Sequence, residues 1–160
     1  MPPSVRQRTE FQRNRTAPWV PRLQGGMAHT TDIGIQLGAG RQVLAQVEGF
    51  TVATDQPAEL GGAGAFPSPY NLFLASLGTC AGVFVQGFCQ KRGIPTEGIS
   101  LRQKMRYGED GVLAAVDVEV VLPPGFPDRY RDAVTRAAEG CSVKKAIAAQ
   151  PTFVVRTVGT

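Results

Sequence analysis

The amino-acid sequence predicts an α+β fold built on antiparallel sheets, and the order of its elements carries this prediction. Residues that favour extended structure are grouped near the start and in the middle of the chain. One long apolar segment, from Tyr70 to Arg92, separates the two groups. Such grouping is typical of α+β proteins rather than of a doubly wound parallel sheet. A chain of 160 residues can bury one core, so we expect one domain.

The first strands are predicted between Asp32 and Ala53. Apolar residues alternate with other residues on both sides of a turn at Gly38–Gly40, which indicates two or three antiparallel strands. The next segment, Thr54 to Pro67, is rich in glycine, proline and small residues, so we expect a long loop. Loops of this length often form part of a functional site.

The apolar segment carries the marks of a helix at both ends. Ser68 can cap its start, Pro69 suits the first turn, and Gly93 follows the last basic residue. Because the segment is apolar nearly all round, we expect a long central helix that is buried on most faces, in the core or at a subunit interface. Polar residues and glycines interrupt it, which argues against a membrane span.

The second half predicts a hairpin, two helices and a closing strand. Alternating residues from Ile99 to Tyr107 and from Val116 to Leu122 flank a turn, which is typical of a hairpin with one face in water. Helical spacing follows from Asp128 to Glu139, Gly140 ends that helix, and a short helix runs from Val143 to Ala149. After Pro151, residues 152–158 are predicted to form the last strand.

The net charge of +4 is concentrated before residue 27. Five arginines there face a single glutamate, and the rest of the chain is nearly neutral. A basic lead without apolar periodicity is typical of a solvated tail, so we do not expect nucleic-acid binding. The sequence thus predicts a disordered or over-extended tail over residues 1–26, with Met27 as the natural start and a domain over residues 27–160.

The cysteines and the absence of targeting patterns indicate a cytoplasmic protein without a membrane span. Three cysteines lie far apart, in a chain that shows neither the apolar core nor the cleavage site of a secretory signal. We therefore expect reduced thiols.

Thiol chemistry is the only catalytic chemistry for which this sequence has enough material. The single histidine, His29, lies in the lead, so neither a metal site nor a Ser-His-Asp arrangement is expected. The glycines at 61–64 lack the lysine of a phosphate-binding loop, and no cofactor motif is found.

The geometry of the long helix separates two of the thiols. Cys80 and Cys89 are nine positions apart, so they point to opposite faces and lie about 13 Å apart along the axis. They cannot pair within one chain. Cys89 is most simply explained as a small buried apolar residue.

Cys141 and Cys80 each allow two interpretations. Cys141 falls at the first turn of a short helix, where free N–H groups and the charges of Lys144 and Lys145 favour a thiolate, but it could equally be a simple cap. Cys80 lies between Gly78 and Gly82, and by position alone it is better explained as a core residue. Together, however, the two thiols could reduce a peroxide through a sulfenic acid and a disulfide.

Two segments resemble the OsmC/Ohr family of thiol-dependent organic hydroperoxide reductases. The segment PSPYNLFLASLGTC, residues 67–80, is similar to the family motif before its first cysteine, and GCSV, residues 140–143, is similar to the motif around its second. The resemblance extends over roughly Gln42 to Val158.

This resemblance implies a fold, an assembly and a reaction. It implies an intertwined homodimer with central helices and interfacial sites, in which Cys80 is the peroxidatic cysteine and Cys141 the resolving one. The substrate would be an alkyl or fatty-acid hydroperoxide, and a lipoyl protein or thioredoxin-like dithiol would recycle the disulfide, in defence against oxidative or osmotic stress. Family peroxidases hold the thiolate with an arginine, for which Arg41 is the nearest candidate.

One departure from the family pattern leaves a second function open. The family orients its arginine with a glutamate just after the proline at the helix start, but Tyr70 and Asn71 occupy these positions here. The alternative is a catalytically weak module of the same fold that binds a small apolar ligand or senses thiol oxidation.

Overall fold

The computed structural model describes residues 31–159, which form two antiparallel sheets and three α-helices in the chain order βββαββαα. The strands are β1 (Gly34–Leu37), β2 (Val43–Val47), β3 (Phe50–Thr54), β4 (Ser100–Tyr107) and β5 (Leu113–Val121). The helices are α1 (Pro69–Gln90), α2 (Arg131–Glu139) and α3 (Ser142–Ala148). The predicted α+β class is confirmed. The predicted tail, residues 1–26, and His29 lie outside the described residues.

Each sheet is formed by neighbouring strands. The first has the order β1-β2-β3 and the second pairs β4 with β5. Both are antiparallel, as the alternation of apolar residues predicts. A hydrogen bond also joins the second sheet to α1: Nε2 of Gln103 on β4 donates to the Leu74 carbonyl at 2.9 Å.

Helix α1 begins and ends at the residues that the sequence marks. The Ser68 hydroxyl accepts a hydrogen bond from the Asn71 N–H at 3.2 Å, and Pro69 occupies the first turn. After Gln90 the chain turns back at Gly93, whose φ of 64° suits glycine, and the Ile94 N–H reaches the Cys89 carbonyl. Ile94 thereby enters the core.

The core lies where one face of α1 meets α2 and the second sheet. The buried residues recur along α1 at helical spacing and are joined by apolar residues of α2 and the loops: Ala81, Val85, Cys89, Ile94, Phe126, Val134 and Ala138. Cys89 has no exposed surface, so its predicted role as a buried apolar residue is confirmed.

Within the single chain α1 is not buried on most faces, and its predicted burial at a subunit interface stays a prediction. Only one stripe of the helix is buried, whereas Tyr70, Phe73 and Phe84 on other faces are exposed. Among residues 31–159, α1 packs against α2, α3 and β4, and these elements cover one side of it. By length and composition α1 could cross a membrane, but its buried stripe is the centre of the core described above.

The predicted last strand is also absent from the described chain. Residues 151–159 form no strand and are exposed throughout, and Phe153 and Val155 are 87% and 98% exposed. The physical reason is that a strand needs a neighbour to receive its N–H and C=O groups. This segment pairs with neither of the two sheets that the structure describes.

Candidate active site

The candidate site lies where the joint between α2 and α3 meets the middle of α1. Cys80 projects from α1 and is partly exposed, whereas Cys141, the N-cap residue of α3, has no exposed surface. The Sγ atom of Cys141 lies 3.8 Å from the carbonyl oxygen of Leu77, one turn before Cys80. The tertiary structure therefore brings together two thiols that are far apart in the sequence.

A glycine allows this close approach. A Cβ atom at position 140 would lie 2.9 Å from Cδ1 of Phe84, which follows Cys80 by one turn of α1. Real Cβ atoms essentially never come so close, so the backbone before Cys141 can rest on the Phe84 ring only if residue 140 is glycine. The contact sets the position of Cys141 against the helix that carries Cys80.

The environment lowers the pKa of Cys80. Partial burial raises this pKa, but the hydrogen bond from the Cys141 thiol opposes that effect. The backbone N–H groups of Val143 and Ser142 and the positive charge of Lys144 act in the same direction as Cys141, and the pKa ends below 9.0. Cys80 is therefore the thiol that ionises first.

The environment acts on Cys141 in the opposite sense. Burial raises the pKa of Cys141, and so does its interaction with the Cys80 sulfur, while the backbone N–H groups of Lys144 and Val143 only partly offset this. The sequence had suggested that the start of the short helix favours a thiolate at Cys141 itself. In the fold, N–H groups of that helix also reach Cys80, so the thiolate is favoured on the neighbouring helix instead.

The third thiol takes no part in this arrangement. Burial raises the pKa of Cys89, which Arg92 only partly offsets, and the residue is enclosed in the core. Such a thiol is unreactive, because it is neither ionised nor accessible.

An apolar cleft of about 410 Å³ shares Leu77 with the surroundings of the Cys141 sulfur. It lies between α1, β5 and α3, and its lining includes Phe73, Leu77, Leu113, Ala115, Val116, Ile147 and Lys144. A cleft of this size and character is suited to a small apolar molecule.

Arg41 lies elsewhere in the described chain. The residue is exposed after β1, and its Nε atom is 3.6 Å from where a Cβ of Gly61 would lie, so the guanidinium rests on the loop after β3. The positive charge that acts on Cys80 is that of Lys144. A role of Arg41 in holding the thiolate therefore remains a prediction.

The loop that carries Gly61 is organised by a buried carboxylate. Asp55 is 1% exposed and accepts hydrogen bonds from the N–H groups of Gln56, Ala63 and Ala65 at 2.8, 3.2 and 3.1 Å. These bonds lower the pKa of Asp55 despite its burial, the bond from Ala65 most. The loop leads directly into the cap of α1, and the sequence identified its extent but not the carboxylate at its centre.

Tyr70, directly after Pro69, belongs to an aromatic pair at the start of α1. The rings of Tyr70 and Phe73 stack with their centroids 6.1 Å apart. A hydrogen bond with Tyr107 of β4 raises the pKa of Tyr70. The start of α1 is thus tied to the second sheet by neutral hydroxyl groups and not by an ion pair.

Sequence reasoning missed the contact of Gly140 and did not distinguish Lys144 from Lys145. The motif around Cys141 contains Gly140, but the sequence does not show that Phe84 lies against it. Lys144 and Lys145 are equally basic, and only their places on α3 distinguish them, since Lys144 is partly buried and Lys145 is exposed. Among residues 31–159, no cluster of three acidic, histidine or cysteine side chains could hold a metal ion.

Comparisons with known proteins agree on one family. The sequence model for the OsmC-like protein family matches residues 61–156, which include both motif cysteines. No curated protein matches the chain in sequence.

Solved structures share the fold at low sequence identity. A protein of Psychrobacter arcticus 273-4, named as an osmotic stress induced and detoxification response protein, is 17% identical to this chain. The two structures align with a TM-score of 0.63 over 75% of this chain and 90% of the other. An organic hydroperoxide resistance protein of Elizabethkingia anophelis is 21% identical, with a TM-score of 0.51 over 78% and 93% of the two chains. The organic hydroperoxide resistance protein OsmC of Legionella pneumophila is 20% identical to this chain, with a TM-score of 0.50 over 76% of this chain and 91% of its own.

Proposed function

The chain belongs to the OsmC-like family, and we propose that it acts as a thiol-dependent peroxidase that reduces organic hydroperoxides through Cys80 and Cys141. One observation carries the proposal: the buried Cys141 sulfur packs against the turn of α1 that carries the partly exposed Cys80, at 3.8 Å from the Leu77 carbonyl oxygen. The contact with Cys141 lowers the pKa of Cys80, whereas burial raises the pKa of Cys141. This asymmetry supplies a nucleophile and a second thiol that waits beside it.

The first step is attack on the peroxide. The Cys80 thiolate attacks the terminal oxygen of the hydroperoxide, the O–O bond breaks, and the alkoxide takes a proton and leaves as the alcohol. Sulfur is oxidised to a sulfenic acid, and the substrate is reduced by two electrons. The partial exposure of Cys80 gives the peroxide access to the sulfur.

The second step closes a disulfide. The Cys141 sulfur attacks the sulfenic acid at Cys80, and one water leaves with the Cys141 proton. An external dithiol then reduces the disulfide by thiol–disulfide exchange and is itself oxidised. We propose a lipoyl protein or a thioredoxin-like protein as this reductant.

The apolar cleft supports an alkyl or fatty-acid hydroperoxide as the substrate rather than hydrogen peroxide. Its side chains are apolar apart from Lys144, and each Å² of apolar surface removed from water contributes about 25 cal/mol. Two of the solved structures cited above are of organic hydroperoxide resistance proteins. We infer a role in oxidative or osmotic stress defence in the cytoplasm.

We also propose that the protein works as an intertwined homodimer. The exposed faces of α1 and the unpaired residues 152–158 are apolar surfaces that a second copy could cover. Val154 and Val158, which are 78% and 76% exposed, would become strand residues if a partner's sheet received them.

The test maps the thiols after one oxidation. Reduced protein is mixed with cumene hydroperoxide, quenched with a thiol-blocking reagent and digested for mass spectrometry. We expect a disulfide between Cys80 and Cys141, with Cys89 recovered as a blocked thiol and serving as the internal control. Free thiols at Cys80 and Cys141 after exposure to peroxide would refute the peroxidase.

A second function is favoured by one observation. Tyr70 stands at a position where family peroxidases carry a carboxylate, its ring stacks on Phe73, and Phe73 lines the apolar cleft. A catalytically weak module that binds a small apolar ligand or senses thiol oxidation would use the same cleft. It differs from the peroxidase in that binding would persist when Cys80 is replaced.

A further inference from the structure

We infer that Lys144 is a positioning residue: the hydrogen bond from its ammonium group to the Ala138 carbonyl holds α3 against the end of α2 and keeps the Cys141 sulfur buried beside α1. The inference deepens the proposed function and rests on it for its catalytic meaning, since a buried Cys141 stays close to the helix that carries Cys80. Its test measures how well a thiol is covered and needs no peroxide.

Helix α3 has few contacts that could hold it in place. It spans seven residues, Ser142–Ala148, and isolated helices shorter than about 12–15 residues are marginal in water. No residue of α3 is buried, and every residue from Lys145 to Ala148 is exposed. Val143 and Lys144, in the first turn, are its partly buried residues. The contacts that hold α3 therefore act on its first turn.

A side-chain hydrogen bond joins this first turn to the preceding helix. Nζ of Lys144 donates to the carbonyl oxygen of Ala138, in the last turn of α2, at 3.2 Å. Carbonyl groups at a helix C-terminus have no partner within the helix and carry partial negative charge, so an ammonium group suits them. Among residues 31–159, no other side chain of α3 forms a hydrogen bond. The Lys144–Ala138 bond is thus the polar link between the two helices.

This bond spans the residue that carries the second thiol. Gly140 and Cys141 lie in the chain between Ala138 and Lys144, where α2 ends and α3 begins. Cys141 has no exposed surface, and its sulfur lies 3.8 Å from the Leu77 carbonyl oxygen of α1. When the bond is lost, we expect the first turn of α3 to move away from α2 more often, which uncovers the Cys141 sulfur.

Lys145 provides a matched control from the chain itself. It follows Lys144 directly on α3 and carries the same charge, but its side chain is exposed. Removing a positive charge near a thiol disfavours the thiolate and slows its alkylation. Loss of the Lys144–Ala138 bond has the opposite effect, because an uncovered Cys141 is alkylated faster. The direction of the change therefore distinguishes a positioning role of Lys144 from a purely electrostatic one.

The experiment measures how fast iodoacetamide alkylates each cysteine of the reduced, native protein at one fixed pH, read on separate peptides by mass spectrometry. We expect Lys144→Met, which keeps the apolar part of the side chain, to speed alkylation of Cys141 about tenfold, the effect of losing one hydrogen bond to a charged group. Lys144→Arg keeps a donor and should stay near the wild-type rate, and Lys145→Met should match the wild type. Cys89, which is equally buried, reports unfolding of the whole core and should keep its rate.

Two results would overturn the inference. One is a Cys141 rate in Lys144→Met that equals or falls below that of the wild type, and the other is an equal rise in Lys145→Met. If the Cys89 rate rises with that of Cys141, the variant unfolds as a whole. Lys144→Ala, which favours the helix more strongly, is then measured in the same way and decides the question.

The failure of this inference can be told apart from the failure of the proposed function. Wild-type protein that forms no disulfide with cumene hydroperoxide, but whose Cys141 is uncovered by Lys144→Met, would refute the peroxidase and leave the positioning role standing. Wild-type protein that forms the disulfide, with no faster alkylation of Cys141 in Lys144→Met, would refute the positioning role alone.

Discussion

Gly140, which links α2 to α3, contacts the ring of Phe84 on α1, and a Cβ atom on the glycine would lie 2.9 Å from that ring. The next residue after the glycine is Cys141, and the residue one turn before the phenylalanine is Cys80. In a disulfide the Cβ atoms of the two cysteines must approach to about 4 Å. The distance between α1 and the start of α3 therefore decides whether Cys80 and Cys141 can form one.

Gly140→Ala should slow the formation of the disulfide. The added methyl group pushes the start of α3 away from α1, and overpacking of this kind costs about 1–3 kcal/mol. We expect disulfide formation after a peroxide pulse to fall roughly tenfold, since about 1.4 kcal/mol corresponds to that factor. Gly87→Ala is the control, because a Cβ there meets nothing within 4 Å. The double variant Gly140→Ala with Phe84→Leu should recover the wild-type rate of disulfide formation. If Gly140→Ala alone forms its disulfide at the wild-type rate, the contact with Phe84 does not position Cys141.

Replacing each cysteine should stop the reaction at a different step. Cys80→Ser removes the nucleophile and should abolish the consumption of cumene hydroperoxide, measured with dithiothreitol as the reductant. Cys141→Ser should still react once and accumulate a sulfenic acid at Cys80 that dimedone traps. Cys89→Ala, in the core, should retain activity. Turnover that survives in Cys80→Ser would rule out the peroxidase.

The reactivity of Cys80 should follow its lowered pKa. A thiol whose pKa is lowered is ionised above that pKa and loses its thiolate as the pH falls through it, so alkylation of Cys80 should reach half its maximum below pH 9.0. Cys141, with a raised pKa, should reach half-maximum above pH 9.0. Mass spectrometry of the two peptides from one pH series gives both midpoints, and an inverted order would contradict the assignment of roles.

The ionised carboxylate of Asp55 should keep the loop at residues 56–66 ordered, and its protonation at low pH should loosen that loop. Its pKa in the folded protein lies below 3.8, so its stabilisation is fully present above pH 3.8 and is lost as the pH falls through the lower, folded value. Asp55→Asn leaves one acceptor oxygen for three N–H groups and places an amide donor beside them. We expect several-fold faster limited proteolysis at residues 56–66 at neutral pH. Glu59→Gln, in the same loop, is the control, and equal cleavage of both variants would show that Asp55 does not hold the loop.

Removing the exposed C-terminal segment should convert the proposed dimer to a monomer. A chain that ends before Pro151 loses Phe153, Val154, Val155 and Val158, which are exposed in the single chain. We expect light scattering after size-exclusion chromatography to give the mass of two copies for the full chain and of one for the shortened chain. A full chain that elutes with the mass of one copy would refute the dimer.

Local chemistry in the sequence was sufficient to predict most elements. The cap at Ser68, the stop at Gly93 and the alternation in β4 and β5 act over a few residues, so their effects can be predicted without knowing the rest of the fold. The same is true of Cys89, whose position on α1 separates it from Cys80. The family motifs likewise lie in continuous segments, and the match to residues 61–156 agrees with them.

The tertiary structure alone decided the electrostatics of the site and the state of the C-terminal segment. Which thiol ionises depends on N–H groups, a lysine and a second thiol that come from α3 to Cys80 on α1, and no local pattern encodes that distance. Residues 152–158 have the composition of a strand, but a strand requires a neighbour, and residues 31–159 supply none. The sequence by itself determined the helices, the paired strands and the two motif cysteines, because these depend on short-range forces. Contacts between distant segments decided the rest.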